Sequence, residues 1–390
     1  MKRIIVLLLC ALALAAGASA NTNIWQDKIY IDGEFRIAYL SDKNVPDSFA
    51  PAGTMQSYDI LPARLFLGAG YRPSENINIF ARGVFFTLWG RDGGLPFFTE
   101  SQVDRVQLAE GYGELKNIFN AVDIKIGRQF YYDDQVWFMP KYDNFENLVY
   151  TSLDGATASI RIKATQIRLM AGWRARLSDW DDHDYFTYGF ETKTDIKPEY
   201  GFYAFFYNSQ KNSDTYEGVY GLKPYVNYKG IAASFRYLRV FDDGRAAFPK
   251  HGQFFMGDIS YEINAPAAML KPRASVAWTT GSTDMNIYFE RSLIIEHIYG
   301  PTVLRDTAVY NAGIDIAPAA LPKLQVLFDG YYYQGRANGN PDKGLELDLQ
   351  AKYNLLEDLT IGAGFAYLFA DRDFQSKDAQ KIQVFAVYKF

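Results

Sequence analysis

Nine cationic side chains in this sequence share one possible chemistry, the binding of carboxylates. Arg36, Arg64, Arg82, Lys125, Arg161, Arg168, Arg174, Lys223 and Arg236 each sit in a stretch where apolar and polar residues alternate. The guanidinium is a planar fork of N–H donors that fits a carboxylate in bidentate fashion. Several on neighbouring segments around a channel would make a path for small anionic solutes, with carboxylated sugars as the expected class. Acidic residues in equivalent positions are Asp32, Glu34, Glu110, Glu114, Asp258, Glu262, Asp329, Glu346 and Asp348. The basic set is weighted to the first half of the chain and the acidic set to the second. One basic wall facing one acidic wall is therefore expected, a field that orients solutes and selects by charge. The plainer alternative is a set of solvated polar residues paired across strands.

Catalytic chemistry finds little support. The three histidines, His183, His251 and His297, have no paired spacing, and neither a Gly-x-Ser-x-Gly elbow nor a His-Glu-x-x-His motif occurs. Asp133-Asp134 and Asp181-Asp182 are better read as solvated loop residues than as calcium ligands. No catalytic residue, metal site or cofactor is expected, and the protein is read as a non-enzyme; an outer-membrane hydrolase is the weakest reading. A different signal lies between residues 131 and 150, where Tyr131, Tyr132, Asp133, Asp134 and Trp137 open an aromatic-acidic stretch. Such a loop either folds inward to narrow a pore, where aromatic faces stack on sugar rings, or packs on the rim.

The elements that must position these residues are strands. From Lys381 to Phe390 the residues alternate, with Ile382, Val384, Ala386, Tyr388 and Phe390 on one face and Gln383 and Lys389 on the other. Seventeen further segments of strand character precede it, roughly 29–39, 60–71, 77–89, 104–115, 122–130, 151–162, 165–176, 184–193, 200–208, 219–228, 231–241, 253–263, 272–281, 307–316, 323–333, 344–353 and 359–369. Segments 77–89 and 200–208 are apolar on both faces, which leaves their register open. Every second connection is short and rich in turn formers, while the others run from seven residues (177–183) to twenty-five (282–306). Short turns at one end and long loops at the other are the arrangement of an all-β transmembrane barrel, here of about 18 strands, with the turns facing the periplasm. A soluble sandwich or propeller also alternates, but leaves the ten-residue strands and the 29 Tyr and 29 Phe unexplained. A lumen of that size is wide enough for water and solute.

Residues 1–20 read as a cleaved signal peptide: Lys2 and Arg3, an apolar run from Ile4 to Ala16, then Ala18-Ser19-Ala20. Residues 21–390 are then a single outer-membrane barrel domain with no cysteine, carrying 38 basic and 45 acidic side chains. That acidity argues against nucleic acid as a partner. The expected partners are outer-membrane lipid and lipopolysaccharide, the barrel-assembly machinery through the strand ending in Phe390, and small anionic solutes.

Two places resemble the alginate-export porins of Gram-negative bacteria. One is the strand Ile124 to Gln129, closing on Gly127-Arg128-Gln129, followed by the aromatic-acidic loop and Leu153-Asp154-Gly155. The other is the C-terminal run from Gly344-Leu345-Glu346-Leu347-Asp348 through Leu359–Phe369 to Val384–Phe390. The resemblance implies a monomeric eighteen-stranded barrel with an arginine-rich, anion-selective lumen, and adds Arg128 to the pore-lining candidates. Tyr131-Tyr132-Asp133-Asp134 departs from the family's Gly-Asp stretch, which leaves the solute open: alginate-like oligosaccharides, other acidic sugars, or small solutes in general through a low-selectivity porin.

Overall fold

The computed structural model describes residues 23–25, 28–46, 55–89, 105–131, 151–176, 185–211, 215–242, 252–281, 293, 306–336 and 342–390. The proposed signal peptide lies outside them. Twenty strands follow in order: β1 (Asn23–Trp25), β2 (Ile29–Pro46), β3 (Met55–Ser74), β4 (Ile77–Trp89), β5 (Arg105–Ile118), β6 (Val122–Phe130) and β7 (Thr151–Ile162). Next come β8 (Thr165–Arg176), β9 (Tyr185–Lys197), β10 (Tyr200–Lys211), β11 (Thr215–Tyr228), β12 (Ile231–Asp242), β13 (Gly252–Tyr261) and β14 (Ile263–Asn264). The last are β15 (Ala268–Gly281), β16 (Thr307–Pro318), β17 (Leu324–Gly335), β18 (Gly344–Asn354), β19 (Leu359–Ala370) and β20 (Ala379–Lys389).

β1 is a short addition to β2, and β14 continues β13 along β15. The other eighteen pair antiparallel with their chain neighbours, and β20 pairs with β2 from Glu34↔Lys389 to Lys43↔Gln380, which closes the barrel. Closure leaves no sheet edge, the condition for spanning a membrane with strands. At the seam Phe390 exchanges backbone hydrogen bonds with Gly33 at 2.6 and 2.9 Å. A Cβ on Gly33 would collide with the edge of the Phe390 ring, so the ring packs where it does because residue 33 is glycine.

The sequence-read segments 77–89, 122–130, 151–162 and 165–176 coincide with β4, β6, β7 and β8. The short connections are tight turns, with Asn117, Phe119, Asn120, Lys163 and Lys229 at positive φ. At the other end strands run further than expected. β2 and β3 pair as far as Pro46↔Met55, and β10 and β11 as far as Lys211↔Thr215, leaving three residues where a ten-residue loop (209–218) was expected. The polar run Asn208-Ser209-Gln210-Lys211 does not read as a lipid-facing strand, yet it can extend a hairpin beyond the apolar band.

The outer face is apolar: Leu67, Ile79, Leu115, Ile126, Leu169, Trp173, Phe190 and Val384 are exposed and share one parity across the ladders. Among the described residues no helix is long and apolar enough to cross a membrane.

Candidate functional site: a narrowed lumen

Alternation places Arg36, Arg64, Arg82, Lys125, Arg161, Arg168, Lys223 and Arg236 on the inner face. Registers such as Arg36↔Arg64, Gly68↔Arg82, Lys125↔Thr157↔Met170 and Arg236↔Met256 carry that face round the barrel. Arg174 opposes Leu153 on the same parity, but its side chain lies outside the described set. Arg128 differs. It opposes Asp154, which opposes Trp173, so the register sets it on the outer face with Ile126. The motif resemblance that pointed it into the pore is corrected by the period-two geometry of β6, where the inward neighbours are Lys125, Gly127 and Gln129.

The expected segregation into a basic and an acidic wall is also revised. Arg36 and Arg64 both engage Glu34; Arg82 engages Asp32, and also Glu110 at 2.9 Å; Arg161 engages Asp123 at 2.5 Å; Arg168 engages Glu191. In the second half Arg273 bridges Asp315 and Asp329, and Lys381 lies 3.9 Å from Asp42. A charge in a low-dielectric wall needs a counter-charge within reach, so cations and carboxylates interleave on neighbouring strands. What remains of the acidic wall is a tight group, Asp329, Glu346 and Asp348, buried on β17 and β18.

Aromatic rings complete the lining. Arg82 lies over Phe66 and Phe80, Lys125 is 4.2 Å from the centre of Tyr112, and Arg168 is 4.9 Å from that of Tyr131. Cations over ring faces keep a definite position without being neutralised. The two-sided segment 200–208 resolves with Tyr203, Phe205 and Tyr207 inward and Phe206 outward against Phe190.

The inner side chains of an eighteen-stranded wall cannot by themselves fill its lumen. Yet Leu238, Phe254, Val309, Tyr333 and Leu368, all facing inward, are almost fully buried in one cluster. Two members of that cluster come from connections that reach into the barrel. Tyr131, immediately after β6, is buried, and its hydroxyl lies 3.0 Å from that of Tyr207 on β10. Tyr207 in turn donates to Glu191 at 3.1 Å. Leu293 comes from the longest connection, between β15 and β16, and packs into the same cluster. Of the expected constriction loop only Tyr131 is placed; Tyr132, Asp133, Asp134 and Trp137 lie outside the described residues. Phe374, in the β19–β20 connection, covers the cluster from the loop end beside Lys343.

On the turn side of Tyr131 is a cavity of about 210 Å³ lined by Lys125, Arg168, Glu114, Asp123, Gln129, Thr157 and Ser159. Gln129 is fixed by accepting from the Thr157 hydroxyl at 2.8 Å and donating to the Lys125 carbonyl at 3.3 Å. Donors and acceptors on one wall and tyrosine rings above make a place for a small hydroxylated or carboxylated molecule. Among the described residues no cluster of His, Cys, Asp and Glu suits a metal ion.

Sequence reasoning missed Glu191, Tyr207, Arg273, Lys381 and Leu293. Leu293-Ile294-Ile295 in the longest loop was a signal for an inward anchor; the pairing of Glu191 with Arg168 needs the β8–β9 register.

The chain is similar along nearly all its length to solved outer-membrane porin structures. OccK9 (OpdG) of Pseudomonas aeruginosa matches with a TM-score of 0.68 and 12% identity, over 93% of this chain and 98% of that one. OpdK of the same organism, crystallised with vanillate, gives 0.65 and 13%, over 93% and 98%. OccAB4 of Acinetobacter baumannii gives 0.64 and 12%, over 94% and 99%. These likenesses fix a porin-type eighteen-stranded barrel. No family model and no curated protein matches the chain.

Proposed function

We propose that the chain is an outer-membrane channel for the passive passage of small anionic solutes, with no catalytic step. The observation that carries this reading is the narrowing itself. Tyr131 and Leu293 reach into the barrel, and the cavity beside Tyr131 is lined by Arg168, stacked on that ring, and by Lys125. A carboxylate moving there exchanges water for guanidinium and ammonium donors, while its apolar or ring portion slides over tyrosine. OpdK, a barrel of the same fold, was crystallised with the aromatic carboxylate vanillate, which supports a solute of this kind. Carboxylated sugars and alginate-like oligosaccharides fit the same donors, and the two local resemblances to alginate-export porins favour them.

A second reading, a general porin of low selectivity, is favoured by the carboxylate beside each of Arg36, Arg64, Arg82, Arg161 and Arg168. Liposome swelling with galacturonate against galactose separates the two. Faster entry of the acid supports anion passage; equal or slower entry supports the general porin. Release of lipid or peptide products by the purified barrel would revive the hydrolase.

A further inference from the structure

We propose that Lys125 selects the solute in the cavity beside Tyr131: it binds hydroxylated monocarboxylates of sugar-acid size, and Glu114 opposite it turns away solutes with a second negative charge. This rests on the anion-channel reading above and deepens it, naming the residue that reads the carboxylate and the class of anion admitted.

Lys125 differs from other cations of the lumen in its partner. Arg36 and Arg64 are engaged by Glu34, Arg161 by Asp123 and Arg168 by Glu191. A solute reaching any of these must compete with a carboxylate of the wall. Lys125 has an aromatic partner instead. Its ammonium is 4.2 Å from the centre of the Tyr112 ring, and among the described residues no carboxylate forms an ion pair with it. A cation over a ring face keeps its charge and the N–H donors that point away from the ring. The platform is itself fixed, since Tyr112 packs on Phe80, centroids 5.4 Å apart, and Phe80 stacks on Tyr30 at 6.0 Å.

The carboxylates nearest to Lys125 in register are occupied elsewhere. Glu114 is its direct cross-strand neighbour, yet Glu114 Oε2 takes Lys116 at 3.3 Å and Asn78 at 3.4 Å. Glu110, further along the inner face of β5, is held by Arg82 at 2.9 Å and by the Phe130 N–H at 3.4 Å. An anion entering the cavity therefore meets an ammonium that gives up only water to receive it.

Hydroxyl partners stand beside that ammonium. Thr157, opposite Lys125 on β7, directs its hydroxyl proton to Gln129 and leaves its oxygen as an acceptor. Ser159 accepts from Gln166 at 3.2 Å and keeps its own proton to donate. Glu114 is a charged acceptor lining the same cavity, whose 210 Å³ suits one solute of monosaccharide size. A solute hydroxyl can donate to Glu114. A second carboxylate there would face a like charge, with Asp123 beside it. One attractive and one repulsive element together tell apart two anions of the same size.

The test measures, for the refolded full barrel in a planar bilayer, the concentration of added solute that halves the KCl conductance. Galacturonate is the monoanion, galactarate the dianion on the same carbon skeleton, and galactose the neutral control. Heat-modifiable gel mobility verifies the folding of each variant. In the wild type, half-block by galacturonate is expected at a concentration about fivefold or more below that for galactarate or galactose. K125Q should remove that advantage and K125R should keep it, while E114Q should bring galactarate to within about twofold of galacturonate. The wild-type and E114Q comparisons decide the matter if K125Q does not fold. An unchanged galacturonate advantage in K125Q, or a wild type that galactarate blocks as well as galacturonate, overturns the selection. A chloride-selective reversal potential in the same membrane then leaves the anion channel standing. A potassium-selective one in the wild type overturns the anion reading, and the selection with it.

Discussion

The backbone N–H of Leu293 lies 2.9 Å from the Glu346 carboxylate on the inner wall of the barrel, and the same N–H lies 2.9 Å from Asp348. A residue from the longest connection is thus held by two carboxylates and by the apolar cluster around Phe254, Leu368 and Tyr333. Alanine at this position keeps the N–H donor, but truncating a buried leucine costs about 2–5 kcal/mol. Leu293→Ala is therefore expected to release this anchor and raise single-channel conductance in a planar bilayer by about twofold or more. Conductance unchanged from wild type would mean that the residue does not narrow the path.

Arg128 and Arg168 make a matched pair of tests, because both are arginines in ion pairs but on opposite faces. Arg168→Ala removes the lumen cation that faces Glu191, so permeability should shift towards cations, by several-fold in the anion-to-cation ratio. Arg128→Ala should leave that ratio at the wild-type value. If the two substitutions have equal effects, the facing deduced from the β6 register is wrong.

Much of this was open to reading before any coordinates. Short and long connections alternate in length, and the apolar parity of residues 382–390 predicts which side of the closing strand meets lipid. Arg128 could not be placed that way, since a three-residue motif resemblance carries no register and only the alternation along β6 sets its face. The ion pairs were hidden for a related reason. Glu191 and Asp123 sit in stretches whose partners are neighbours across a ladder, and a shift of one residue would have put them on the other face. Leu293 was hidden because loop residues follow no period.

The seam offers a test of assembly. Gly33→Leu would place a side chain where the Phe390 ring lies, against the last hydrogen-bonded pair of the closing strand. Overpacking of this kind costs about 1–3 kcal/mol. The folded fraction by heat-modifiable gel mobility should fall, and the double variant Gly33→Leu with Phe390→Ala should recover it. Failure of the second change to rescue the first would place the defect elsewhere.

Lys343, just before β18, is buried against Phe374, and that burial pushes its ammonium below the usual lysine range. The unfolded chain then holds this proton to higher pH than the folded one. The cost of burying the charge is present in full at neutral pH and fades as pH rises towards about 10.4, the unfolded value. Lys343→Met should raise the melting midpoint at pH 7, with the difference from wild type shrinking by pH 10. A difference constant across that range would show that the ammonium is not the cause.

The central claim is that the lumen passes anions in preference to cations. The most direct test is the reversal potential of the refolded wild-type protein in a planar bilayer under a tenfold KCl gradient. The account predicts the sign for chloride preference, reduced or reversed in Arg168→Ala. A reversal potential of zero, or one of the sign for potassium, would contradict it and leave the interleaved carboxylates in control of the pore.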